Sequence, residues 1–314
     1  MRGFILGAGF GTRLKPITEH LPKALVPLGA EPVLGRNLRY LWSQGFETIG
    51  VNSHFFHAQM EQFASKFDVP FTLFHESGAI RGTGGALQFA REFLGQEDTF
   101  FVLNVDVVSN FNIRQMGECF KKSSDICSLV AVPVDKGGTI AYNSESMQFM
   151  EVASKKSALP GAATADFTGC AFYRREFLEL LSDDDFSILP LWEKAKQMSL
   201  GVGVLFPENR YWIDIGKPGS YAQIYFDYLD KNVEFGISSD MICDFEHKIC
   251  YNRNVSSDVK DNLGPYSWVE SAHLPPGVSI QKSIVWRNAN SVSELISEKI
   301  VTPWGDVPFQ TAAG

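Results

Sequence analysis

The sequence predicts an α/β fold: a Rossmann-like, twisted, mostly parallel sheet flanked by helices, with a small β-rich module at the C-terminal end. Three observations predict it. Short apolar runs alternate with longer amphipathic stretches through the N-terminal third, as in strands buried on both faces and joined by helices. Two of those runs end in loops rich in chemistry, Gly7-Ala-Gly9 and Asn104-Val-Asp106. From about Phe235 the texture changes to strand-length runs separated by Gly, Asn and Ser.

Phe4–Leu6 reads as a strand ending at Gly7. A loop follows that Pro16, Pro22, Pro27 and Pro32 keep irregular, because proline is excluded from helix interiors. The pattern then predicts a helix over Val33–Ser43 with Gly45 as its stop, a strand at Thr48–Asn52, and a helix at His57–Phe67. Further on come a strand at Phe71–Phe74, a helix at Ala86–Phe93 and an apolar strand at Thr99–Leu103. Thr139–Ala141 and Met147–Val152 read as antiparallel edge strands, and Ser220–Leu229 as a late helix. The division expected is a domain over residues 1–235 and a module over 236–314.

Composition narrows the function. The 314 residues are 45% hydrophobic and 20% charged, an ordinary globular composition, and no apolar stretch is long enough for a membrane span. A formal charge of −8 argues against nucleic acid as a partner, since a phosphate backbone needs a basic face. Five cysteines without a CxxC pair read as reduced thiols in a cytoplasm rather than a disulfide framework or zinc site. The N-terminal apolar run is too short for a signal peptide.

The Gly7-Ala-Gly9-Phe-Gly11-Thr12-Arg13 loop directly follows a strand. Its glycines let successive backbone N–H groups converge on an anion. A dinucleotide fingerprint fails, because Thr12 occupies the third glycine position and Pro16 interrupts the helix that should meet the pyrophosphate. A phosphate loop of the GK[ST] type fails for want of that triplet. Arg13 offers a two-oxygen fork for phosphate and Lys23 a compact point charge. Asp106 stands at the end of an apolar strand, where open α/β sheets bind ligands, and a magnesium ion needs only one or two such carboxylates beside phosphate oxygens. His54, His57 and His75 read as surface or core histidines.

The run from Gly7 through Thr12, Arg13, Pro16, Pro22 and Lys23 to Pro27 resembles the signature of the sugar-1-phosphate nucleotidyltransferases, also called nucleotide-sugar pyrophosphorylases. Two further segments share the resemblance: Tyr211-Trp-Ile-Asp214-Ile-Gly216, and Gly82-Thr83-Gly84-Gly85. It covers roughly residues 1–235 and is nearest to the mannose-1-phosphate guanylyltransferase-like and N-acetylmuramate-1-phosphate uridylyltransferase-like members. It implies an enzyme that joins a nucleoside triphosphate to a sugar 1-phosphate and releases pyrophosphate, with Mg2+ as cofactor. Arg13 and Lys23 then contact the phosphates, and Asp106 and Asp214 hold the metal. Leu6, Gly7, Ala8, Gly9, Gly11, Thr12, Asn52, Gly84, Gly85 and Asn104 are implied as the nucleotide side.

Gly138, Glu151, Thr168 and Gly169 are implied as the sugar side, where the sequence departs furthest from the family pattern. Glu151 lacks the Lys-Pro that usually follows, Phe167-Thr168-Gly169 replaces Asn-x-Gly, and Lys217 replaces a threonine and reads as solvent-facing. Residues 273–302 look like the rudiment of a left-handed β-helix with a packing or homodimerisation role. A non-catalytic regulator that binds a nucleotide sugar on the same fold is the alternative reading.

Overall fold

The computed structural model describes residues 1–135, 137–153 and 161–310, and its contacts gather into two compact units. The first comprises Met1–Gly9 and Asn37–Trp212, and the second Phe10–Arg36 and Ile213–Gly314. This partition differs from the sequence-based one at residue 235, because the loop of residues 10–36 belongs with the C-terminal residues. Among the described residues no helix is long and apolar enough to cross a membrane.

The first unit is built on a nine-stranded sheet. Its strands are β1 (Arg2–Leu6), β2 (Ile49–Ser53), β3 (Thr72–His75), β4 (Thr99–Asn104), β5 (Cys127–Pro133), β6 (Ile140–Asn143), β7 (Gln148–Val152), β8 (Ala162–Arg174) and β9 (Val202–Leu205). Their order is β3-β2-β1-β4-β8-β5-β9-β7-β6, with β8 also pairing β6. The first four are mutually parallel, as the strand–helix alternation predicts. Beyond them β8 runs antiparallel to β4, β5 and β6, so the expectation of a mostly parallel sheet holds only for the N-terminal half. β6 and β7 form a further antiparallel pair, closed by a tight turn in which Asn143 accepts from the backbone N–H of Glu145 and Ser146.

Both faces of β4 are covered. Phe100 stacks on Tyr173 at 5.3 Å, and Phe101 meets Phe172 at 4.8 Å. All four rings are at most 2% exposed. Each fully buried ring contributes roughly 1.5–3 kcal/mol, which accounts for the unbroken apolar run in the sequence. The helix at Val33–Ser43 falls where expected. The helix expected at Ala86–Phe93 instead starts earlier and divides into Gly82–Phe89 and Arg91–Leu94.

The second unit packs the helix Pro218–Leu229 against a parallel ladder. Its strands are β10 (Met241–Asp244), β11 (Ile249–Asn252), β12 (Ser267–Val269), β13 (Ser279–Gln281), β14 (Ser283–Val285), β15 (Leu295–Ser297), β16 (Lys299–Thr302) and β17 (Gly305–Pro308). Strands β11, β12, β14 and β16 stack in parallel, and β13 pairs β15 beside them. Ser267 lies opposite Ser283 and Ile284 opposite Ile300, a repeat of sixteen residues that Val269, Val285 and Val301 also follow. Tyr266, Lys282 and Glu298, each immediately before a ladder strand, carry φ of 61°, 44° and 52°.

One expectation is corrected here. Cys243 and Cys250 are not reduced thiols. They face one another across the antiparallel β10–β11 pair, with Cα atoms 4.0 Å apart, and form a disulfide. The ladder register brings them together, which the lack of a CxxC spacing conceals. Cys119, Cys127 and Cys170 are free, the last two buried.

Candidate active site

In the second unit the signature loop folds back on itself through three 3-10 turns, Thr12–Leu14, Ile17–Glu19 and Lys23–Leu25, the irregular path its prolines predict. Gly11 makes the reversal, with φ at 61°. A Cβ there would lie 2.7 Å from Thr18 Cγ2 and 3.3 Å from Lys23 Cβ, so only glycine lets the chain of Lys23 approach. Thr18 Oγ1 donates to Gly11 O at 2.8 Å. Arg13 reaches Asp214 Oδ2 at 3.3 Å, and Asp214 Oδ1 accepts from Gly216 N at 2.7 Å. Two predicted residues far apart in sequence, Arg13 of the signature and Asp214 of the later segment, are thereby held together. Arg13 is half exposed, so the guanidinium fork stays accessible to an anion. Lys217 is exposed, as read.

In the first unit Gly7 N donates to Asn52 Oδ1 at 2.7 Å. Asn52 Nδ2 donates to Glu76 Oε1 at 2.7 Å, and Glu76 Oε2 accepts from Arg81 N at 2.9 Å. Asn52 and Glu76 are 2% and 0% exposed. Asn52 therefore acts beneath the loop and orients Gly7, and Glu76 links that position to the glycine-rich segment. Gly9 is open: an added Cβ would meet nothing within 4 Å. Gly84 and Gly85 sit inside the helix Gly82–Phe89 rather than in a loop. A Cβ on Gly84 would lie 2.8 Å from Asp185 O, and Gly84 N donates to Phe186 O at 3.1 Å. These two glycines serve a close approach of the chain at residues 185–187.

Asp106 follows β4 in a turn and is 8% exposed. The side chain that holds this turn is Asn37, which sequence reasoning missed. Its Nδ2 donates to Val105 O at 2.9 Å and to Val107 O at 3.1 Å, and the residue is fully buried. An asparagine within an amphipathic helix reads as surface, so only a burial pattern could have singled it out. Trp212 Nε1 donates to Thr168 O at 2.8 Å, which ties Trp212 to β8.

Thr168 and Gly169 form a bulge in β8, where the register against β5 shifts between Phe167 and Cys170. The Thr168 hydroxyl is fully buried and donates to Val130 O at 2.7 Å, so it holds the bulge. Gly169, at φ 79°, turns its backbone toward Asn104. A cavity of about 250 Å³ opens there, lined by Leu6, Leu87, Asn104, Gly169, Thr83 and Ile188 among others. It unites three of the predicted residues, Leu6, Asn104 and Gly169, near the C-terminal ends of β1 and β4. Gly138 packs on the β8 backbone, where a Cβ would come 2.7 Å from Ala165 N. Glu151 Oε1 is buried with no hydrogen-bond partner among the described residues. A carboxylate oxygen so placed calls for a donor.

Among the described residues no group of three or more His, Cys, Asp or Glu is assembled in metal-binding geometry.

The nucleotidyl transferase family matches residues 2–231. The chain belongs to the nucleotidyl transferase family. Within it, the chain is 28% identical to a mannose-1-phosphate guanyltransferase of Yarrowia lipolytica over 74% of its own length and 66% of that relative's. The match thus spans slightly less than two thirds of the relative. Another mannose-1-phosphate guanyltransferase, of Pichia angusta, is 24% identical over 97% of this chain and 86% of that one. The fold is shared with HddC of Yersinia pseudotuberculosis, solved with GMP-PN. That likeness has a TM-score of 0.59 at 22% identity, covering 71% of this chain and 96% of HddC. For this nucleotidyl transferase the signature loop, the Asp106 turn and the Trp212–Asp214 segment lie within the matched residues.

Proposed function

We propose that this nucleotidyl transferase joins a nucleoside triphosphate to a sugar 1-phosphate, giving a nucleotide sugar and pyrophosphate. The observation that carries the reading is the Gly11 reversal, which brings the chain of Lys23 back beside the loop that bears Arg13. Phosphoryl transfer asks a protein mainly for positioning and charge neutralisation. A phosphate oxygen of the sugar phosphate attacks the α-phosphorus in line, and the bond to the β-phosphate oxygen breaks. The attacking oxygen is already anionic at neutral pH, so no general base is required. Arg13 and Lys23 stabilise the charge that builds on the departing pyrophosphate. Gly9 leaves room for phosphate oxygens to approach the backbone.

Asp106 and Asp214 are the carboxylates proposed to hold Mg2+, which supplies further charge neutralisation when bound. The cavity beside Asn104 and Gly169 is of monosaccharide or nucleobase scale, and Glu151 is proposed as an acceptor for sugar hydroxyls. The names of the relatives favour GTP and a mannose-type 1-phosphate as the first pair to try.

The test is a matrix of nucleoside triphosphates against sugar 1-phosphates with Mg2+, read as pyrophosphate release. Release with one pair well above all others is expected. Absence of release from every pair, with tight binding of a nucleotide sugar, would favour the regulator instead.

A further inference from the structure

We infer that the C-terminal coils position the phosphate loop, and that Trp286 and Trp304 are positioning residues for nucleotide binding. The inference rests on the reading of residues 10–27 as a phosphate loop. Every residue it uses lies in the second unit.

The loop is anchored twice, once on each side of Lys23. In mid-loop the His20 ring stacks on the Trp304 indole, 4.6 Å between centroids at 12°. At the loop's exit Tyr221 donates its hydroxyl proton to Pro27 O at 2.7 Å, and Trp286 Nε1 donates to the Tyr221 oxygen at 3.1 Å. The Tyr225 hydroxyl lies 3.2 Å from the same Pro27 O. Just beyond, Ala30 N donates to Gly236 O at 2.8 Å. Gly29, at φ 64°, allows that approach, because a Cβ would run into the same carbonyl. The two anchors are themselves joined, since Trp286 and Trp304 meet edge to face at 6.0 Å.

Trp304 thus grips the loop at His20, Trp286 supports through Tyr221 the grip at Pro27, and Lys23 lies on the span between them. Burial pushes the Tyr221 and Tyr225 hydroxyls well above the usual phenol range, so both remain donors at physiological pH. A span pinned at both ends loses less conformational freedom when it closes on a triphosphate. Every residue of this arrangement belongs to the loop read as the triphosphate site or to its anchors, so the effect is expected on the triphosphate.

The experiment compares Trp304→Ala, Trp304→Phe and Trp286→Phe in the full chain with the unaltered protein. Trp304 is 42% exposed, so its truncation should leave the fold intact. Amide exchange of residues 11–26 is followed by mass spectrometry without substrate, and KM is measured separately for triphosphate and sugar phosphate. With Trp304→Ala, exchange in the loop should rise about tenfold while β4 is unchanged. KM for the triphosphate should rise on the order of fivefold, the scale of one aromatic pair, at constant KM for the sugar phosphate. Trp304→Phe should restore both, and Trp286→Phe should loosen residues 24–27 first. Loop exchange equal to that of the unaltered protein overturns the inference, as does a KM increase shared equally by both substrates. Because exchange is read without turnover, a protein that releases no pyrophosphate refutes the catalytic reading while the anchoring still receives its own answer.

Discussion

Asn37 brackets Asp106: one carboxamide nitrogen donates to the carbonyls of Val105 and Val107, the residues on either side. The turn that presents the carboxylate is therefore set from a helix far away in sequence. Asn37→Leu keeps the volume and removes both donors. Activity should fall about 10–100-fold, the usual cost of losing an outer partner of a metal ligand. Part of the loss should be recovered at higher Mg2+. Asp106→Asn should cost at least about 100-fold with no such recovery. Equal activity of Asn37→Leu and the unaltered enzyme across Mg2+ concentrations would remove Asn37 from this role.

Glu151 has a buried oxygen without a partner among the described residues. Glu151→Gln removes the charge and keeps the shape. KM for the sugar phosphate should rise about tenfold, as one charge-assisted hydrogen bond is weakened, with KM for the triphosphate unchanged. A change confined to the triphosphate would place Glu151 elsewhere.

The Cys243–Cys250 bond closes a loop of only eight residues, 243 to 250 inclusive. A loop that short contributes about 2–3 kcal/mol by the chain-entropy relation. Reduction with dithiothreitol, or Cys243→Ser with Cys250→Ser, should lower the unfolding free energy by about that amount, read from denaturant curves. Mass spectrometry of the unreduced protein gives the direct check, since the bond removes two hydrogens.

Glu270 is 8% exposed and accepts from Trp268 Nε1 at 2.8 Å. Burial raises its carboxyl above the ordinary range of about 4.5. Arg287 nearby opposes the rise and Asp240 adds to it. The sign follows directly. A raised folded-state pKa gives stability that is present below the unfolded value and lost as pH climbs through the folded one. Glu270→Gln keeps the acceptor and cannot ionise. Its Tm advantage over the unaltered protein should therefore grow between pH 4.5 and 7.5. An advantage that stays flat over that interval would show that Glu270 does not ionise differently on folding.

The parts legible in the sequence are those where local chemistry and tertiary context agree. Pro32 and Gly45 frame the helix Val33–Ser43, and the apolar run of β4 could only be a strand covered on both faces. The phosphate loop was legible because Gly11, Pro16 and Pro22 forbid a helix for separate reasons. The sixteen-residue repeat was legible only in fragments, in Val269, Val285 and Val301, in Ile284 and Ile300, and in Ile280 and Ile296. Its backbone marker, a left-handed φ at Tyr266, Lys282 and Glu298, was hidden because such an angle usually falls on glycine or asparagine. The supports of the site were hidden for another reason. Asn37, Asn52 and Glu76 are polar residues that burial converts from surface groups into struts, and no periodicity distinguishes a buried asparagine from an exposed one. Gly84 and Gly85, implied as nucleotide-side residues, lie in a helix turn where the chain at residues 185–187 comes close, a packing demand that the sequence does not show.

Residues 10–36 pack with residues from 213 onward, so the loop's partners are synthesised only after residues 37–212. The sheet can collect all its strands during elongation, but the loop must wait for chain made long after it. A released chain ending near residue 235 would carry every strand of the sheet and the Pro27 anchor at Tyr221, but not the Trp304 anchor at His20. Premature termination within residues 236–303 should therefore yield a folded sheet with weakened nucleotide binding, detectable as a protease-resistant fragment cut first within residues 10–26.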